Sequence, residues 1–141
     1  MTVDDLLAEA RAGLPYRPSP VEAFAAQAKG ALLVDIRGDD QRRAGGLIPG
    51  AVVLARNVLE WRCDPASPWR DASIRGREQV IIVVCQEGFQ SSLAAAVLHE
   101  HNNRPPGARA PCHRPQVDSV TASRVTTHLS SNCVTPQLAA L

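Results

Sequence analysis

Apolar and polar positions alternate between helical and strand patterns up to about residue 100, and lose either period beyond it. Thr2 with Asp5 forms a capping-box signature ahead of an apolar stripe at Leu6, Leu7 and Ala10, and Gly13 with Pro15 ends that stripe. A second start follows at Ser19. Pro20 suits the first helical position, where no N–H is needed, and Glu22 can reach back to the cap. This helix is expected to pass through Phe24 and stop near Gly30. Three short apolar runs come next, at 31–36 (ALLVDI), 51–55 (AVVLA) and 80–84 (VIIVV). Unbroken runs of this kind suit strands buried on both faces, which are parallel strands joined by crossovers and covered by helices. Leu93, Ala94, Val97 and Leu98 then recur at helical spacing, predicting a helix over 91–101. The pattern as a whole predicts an α/β fold with a parallel sheet flanked by helices.

Composition narrows the classes of function. Lys plus Arg (15) nearly balance Asp plus Glu (14), leaving a net charge of +1. Such a chain lacks the basic excess that drives binding to nucleic acid or to an anionic membrane surface. The N-terminus, MTVDDLLAEA, is acidic and carries no export-signal pattern. Cys63, Cys85, Cys112 and Cys133 are widely spaced without a Cys-x-x-Cys pair, unlike a disulfide scaffold or a compact zinc site. The expectation is a cytoplasmic protein with no metal and no cofactor. Cys112, His113, His128 and Cys133 match no common zinc spacing. Trp61 and Trp69 are expected to cover the core.

The chemistry concentrates at Cys85. It ends a strand pattern and opens a short Gly-containing loop that leads into a helix N-terminus. A loop curled around a sulfur can aim backbone N–H groups at it, and the positive end of the helix favours an anion. A thiolate held there is a nucleophile. Cys63, in WRCDP, lacks that setting and is expected to be an unreactive packing or surface residue.

Three stretches in this order, VDIR at 34–37, GLIPGA at 46–51 and VIIVVCQEGFQSS at 80–92, resemble the rhodanese (sulfurtransferase) family. RNVLEWR at 56–62 resembles its actinobacterial type, and the likeness covers about residues 17–100. It implies sulfane-sulfur transfer through a Cys85 persulfide, from a small-molecule donor such as thiosulfate to a thiol or cyanide; a protein acceptor also fits. By the same resemblance Gln86, Glu87, Gly88, Phe89 and Gln90 form the active loop, Ser91 closes it at the helix start, and Asp35 and Arg37 hold the strand ends and loop. Pro49 and Gly50 shape the turn before the second strand.

The departures from the family pattern matter too. Where a cation is common, the loop carries Glu87, Phe89 and Gln90, so an anionic donor is disfavoured unless Arg37, Arg56 or Arg62 reaches its mouth. Leu47 replaces a common histidine. Phosphatases of related design need a Cys-x5-Arg cradle, whereas position 91 is Ser.

After Glu100 no strand, Gly-Gly turn or Trp-bearing helix is legible, so the final strand and helix of the fold are expected to be missing. Residues 1–100 are then an incomplete domain. Residues 101–141, with Pro105, Pro106, Pro111, Pro115 and Pro136 among many Ser and Thr, are expected to be disordered or the product of a shifted reading frame. Two other readings compete with the enzyme: a non-catalytic binding or redox-sensing module, motivated by the acidic loop, and a truncated product without stable activity, motivated by the tail.

Overall fold

A computed structural model describes residues 1–103 and the strand Val125–Thr127. The elements run α1 (Val3–Ala12), α2 (Pro20–Ala28), β1 (Leu32–Asp35), α3 (Asp39–Gly45), β2 (Val52–Val53), a 3-10 turn (Arg56–Val58), α4 (Leu59–Cys63), β3 (Ile81–Val84), α5 (Phe89–Asn103) and β4 (Val125–Thr127).

Both expected N-caps form. Thr2 and Asp5 exchange hydrogen bonds at the start of α1, and Ser19 and Glu22 do so at α2, satisfying N–H groups that the first turn leaves without helical partners. The strands make one parallel sheet in the order β2-β1-β3-β4, with Leu32 opposite Ile81 and Val34 opposite both Val52 and Val83. Because side chains alternate across a strand, the sheet has two apolar faces. Val34, Ile81, Val83 and Cys85 pack with Leu59, Cys63, Ala94, Ala95 and Leu98, which places α4 and α5 on one face. Leu33, Ile82 and Val84 pack with Ala23 of α2 on the other. The expected α/β class with a helix-flanked parallel sheet is the one observed.

Several details differ from expectation. β2 is only two residues long, and Val53 is 46% exposed, because β2 pairs only with β1 and stands at the sheet's edge. The helices Asp39–Gly45 and Leu59–Cys63 had no expected counterpart; α3 is a polar heptad, DDQRRAG, with no apolar stripe to announce it. Trp61 and Trp69 are mainly exposed and do not cover the core. A short fourth strand also joins the sheet. Val125–Thr127 pairs in parallel with β3, Ile81 opposite Val125, and so occupies an edge that would otherwise present unpaired N–H and C=O groups. Its three residues are all β-branched, which favours extended backbone even without an alternating pattern around them. The rest of the tail, on which the expected absence of a final helix and the frame-shift reading bear, lies outside the described residues.

Candidate active site

Parallel strands carry their following loops at one sheet edge, so the segments after β1, β2 and β3 meet there. Cys85 lies at this edge, 7% exposed, at the end of a β3 whose four residues are all buried. Helix α5 begins at Phe89, two residues before the expected position, so Ser91 belongs to its first turn. The sulfur therefore stands where an N-cap side chain would. The Ser91 N–H donates to Sγ at 3.3 Å and the Gly88 N–H at 3.1 Å, and Ser91 Oγ is 3.1 Å from Sγ. A thiol donates to that hydroxyl oxygen; a thiolate would instead accept from the hydroxyl, giving three donors on one sulfur at the positive end of a fifteen-residue helix. Ser91 is fully buried, so these donors do not compete with water.

Gly88 makes the loop close. Its φ is 74°, the left-handed region that a Cβ disfavours. Its carbonyl accepts from Ser92 Oγ at 2.6 Å, which fastens the loop to the helix behind it. The other predicted loop residues divide by environment: Glu87, Phe89 and Gln90 are exposed, and Gln86 is partly buried, with Oε1 buried and unpartnered among the described residues.

Asp35 and Arg37 form a buried fork. Arg37 Nε donates to Asp35 Oδ1 at 3.0 Å and Oδ2 at 3.1 Å, and Nη2 donates to Oδ2 at 2.9 Å. Nη2 also donates to the Gly46 carbonyl at 2.8 Å, tying the end of α3 back to β1. Gln27 Nε2 donates to Pro49 O at 3.0 Å, and Gly50, at φ 72°, turns the chain into β2.

None of the three arginines considered for the mouth is uncommitted. Arg37 is buried against Asp35, Arg56 pairs with Glu60 at 2.7 Å, and Arg62 pairs with Asp71 at 2.8 Å and donates to the Trp69 carbonyl. Leu47 is 73% exposed. The residue that sequence reasoning missed is Arg11, on α1. Its Nη2 donates to the Gly88 carbonyl at 3.4 Å, its Nε to Ser92 Oγ at 3.3 Å, and its guanidinium sits 5.9 Å from the Phe89 ring centroid. Only the docking of α1 on α5 reveals this, since the partners are 77 and 81 positions apart.

Cys63 differs from Cys85 in kind. It is 1% exposed at the end of α4, and burial, reinforced by Asp71 and Glu60, pushes its thiol up to about 12. It is therefore a protonated core residue at neutral pH. An open depression of about 590 Å³ lies at the opposite sheet edge, lined by Ala26, Gly30, Arg75 and Gln79 among others, away from the sulfur. Among the described residues no three metal-ligating side chains cluster, and no helix is long and apolar enough to cross a membrane.

The family model described as Rhodanese-like domain matches residues 19–109. No curated protein sequence matches the chain. Among solved structures, a protein of unknown function from Rhodopseudomonas palustris CGA009, described as a possible tyrosine phosphatase, superposes with a TM-score of 0.66 at 22% identity, covering 92% of this chain and 84% of that one. That likeness concerns the fold alone. The human single-domain sulfurtransferase TSTD1 superposes with a TM-score of 0.50 at 25% identity, covering 61% of this chain and 80% of its own.

Proposed function

The chain belongs to the rhodanese-like domain family, and on that premise we propose that it is a sulfurtransferase whose nucleophile is Cys85. The observation that carries this reading is the convergence of the Gly88 N–H, the Ser91 N–H and the Ser91 hydroxyl on Cys85 Sγ. The likeness to a human sulfurtransferase agrees with it.

With thiosulfate as donor, the thiolate attacks the outer sulfur. A bond forms between the two sulfurs, the bond to the sulfonate sulfur breaks, and sulfite leaves with the electron pair. The persulfide's terminal sulfur carries negative charge, which the positive end of α5 favours. An acceptor such as cyanide or a thiolate then attacks that terminal sulfur and releases the Cys85 thiolate. Direct attack by a thiolate needs no general base, which is consistent with a solvent-exposed Leu47 where the family commonly has histidine. Asp35 and Arg37 act at one remove, by fixing the segment between β1 and α3 beside the loop. The reducing cytoplasm is the proposed setting, and both cysteines among the described residues are free thiols.

The test is persulfide formation. Full-length protein is incubated with thiosulfate, mercaptopyruvate or a polysulfide and weighed intact; addition of one sulfur atom that Cys85→Ser abolishes and Cys63→Ala preserves is the expected result. No adduct from any donor, on protein shown to be folded, would refute the enzyme and leave a non-catalytic module.

A further inference from the structure

The loop around Cys85 carries one acidic residue, Glu87, and no basic one, yet Arg11 is bonded to it and Arg17 stands within electrostatic reach of Arg11, both in a part of the chain that the family match does not include. The match begins at residue 19. Arg11 and Arg17 precede it. Arg11 is bonded to Gly88 O, and the N–H of the same Gly88 is bonded to Sγ, so the guanidinium stands no farther than roughly 10 Å from the sulfur, given the span of one residue. Two of its five N–H donors are committed, to Gly88 and Ser92, at the long distances of 3.4 and 3.3 Å.

Arg17 is the second observation. Its Nε is buried and has no partner among the described residues. Burial and the nearby positive charge of Arg11 both pull its pKa below the usual range, and no carboxylate offsets them. Leu14 packs against the core and Pro18 is fully buried, so the segment joining the two arginines is fastened to the domain. A guanidinium bonded to the loop, with a second positive charge near it that has a buried donor unused, suits an anion approaching Cys85.

We propose that Arg11 and Arg17 form the anion-recognition element of the Cys85 site, taking the oxyanion group of an anionic sulfur donor, the sulfonate end of thiosulfate or the carboxylate of a mercapto keto acid. In this chain the cation that the loop lacks comes from the N-terminal helix and the turn after it. The identity of the ligand as a sulfur donor rests on the sulfurtransferase reading; the assignment of the charge to these two residues does not.

The test uses alkylation of Cys85 by iodoacetate, an anion, and iodoacetamide, its neutral counterpart, with the adduct located by peptide mass in the full chain. The ratio of the two rates reads the charge that an incoming anion meets and cancels changes in intrinsic thiol reactivity. Each lost charge is expected to lower the ratio about two- to tenfold at low salt. Arg11→Gln and Arg17→Gln should both lower it, Arg11→Lys should keep most of it, and added salt should shrink the wild-type preference. Arg17→Gln breaks no hydrogen bond seen among the described residues, so it keeps the test open should Arg11→Gln fail to fold. In thiosulfate kinetics Arg17→Gln should raise KM more than it lowers kcat. If the persulfide never forms but the ratio falls in both variants, the sulfurtransferase reading is lost and the arginine assignment stands. An unchanged ratio in the folded glutamine variants, or an equal fall in Arg11→Lys and Arg11→Gln, overturns the assignment.

Discussion

Replacing Asp35 by asparagine tests whether the buried fork with Arg37 holds together the end of the sheet that carries Cys85. Both side chains are no more than 3% exposed, and the carboxylate accepts from Arg37 Nε, Nη2 and the Arg37 backbone N–H. Asparagine keeps the shape and one acceptor oxygen, but turns an NH₂ toward the guanidinium and leaves that buried charge with neutral acceptors and no counter-charge. Breaking one side of a buried pair costs about 3–5 kcal/mol, a large part of the ~5–15 kcal/mol by which domains are stable. At roughly 4–8 °C per kcal/mol for a domain of this size, Tm should fall by roughly 12 °C or more. Urea unfolding followed by far-UV circular dichroism is the assay, since Trp61 and Trp69 are too exposed to report reliably on the core by fluorescence. The double variant Asp35→Leu with Arg37→Met should be more stable than Asp35→Asn, because it removes both charges and leaves chiefly the Arg37 N–H without its acceptor, about 1–3 kcal/mol. A loss below about 1 kcal/mol in Asp35→Asn, or a double variant less stable than it, would show that the fork is not the fastening described here.

Cys63 should make the protein sensitive to alkali. Its folded value of about 12 lies above the ordinary 9.0, so the unfolded chain loses its proton first. Stability from this group is intact below pH 9 and falls by about 1.4 kcal/mol per pH unit between the two values; urea melts at rising pH should show a steeper decline in wild type than in Cys63→Ala, and parallel declines would remove the claim. Ser91→Ala deletes the hydroxyl 3.1 Å from Sγ. At about 1.5–3 kcal/mol for a hydrogen bond to a charged group, persulfide formation should slow about ten- to hundredfold in a folded protein, and a normal rate by stopped flow contradicts this. Glu87→Gln removes the loop's negative charge and should raise kcat/KM for thiosulfate, a few-fold for an exposed group; a fall in kcat/KM in the folded variant counts against the electrostatic account. Leu98→Ala, at a site 1% exposed between α5 and the sheet, should cost about 2–5 kcal/mol, read by the same urea melts.

The N-caps of α1 and α2, the strands Leu32–Asp35 and Ile81–Val84 and the setting of Cys85 were legible because each depends on residues a few positions apart. A Ser-Pro-x-Glu start carries its own hydrogen-bond partners, and an apolar run at 80–84 ending in cysteine before a Gly loop states both the strand and its exit. α3 was not legible, since DDQRRAG has no apolar face and α3 takes its place from Arg37 and Gly46 rather than from its own burial. Trp61 and Trp69 misled for a related reason. Apolar area makes burial favourable but does not require it, and Trp61 on α4 and Trp69 in the segment after it both face outward.

By itself, then, the sequence determined what is local: where helices start, which runs are strands, which cysteine has a helix N-terminus after it, and that no basic residue stands in its loop. Tertiary structure decided what depends on distant segments meeting. It set β2 at an edge, brought Val125–Thr127 to the free side of β3, and committed Arg37, Arg56 and Arg62 to carboxylates. It also carried Arg11 from α1 across to Gly88 and Ser92, 77 and 81 positions away. A periodic pattern reports which face of an element is buried, but not which other element covers it, and the charge around Cys85 depends on that second fact.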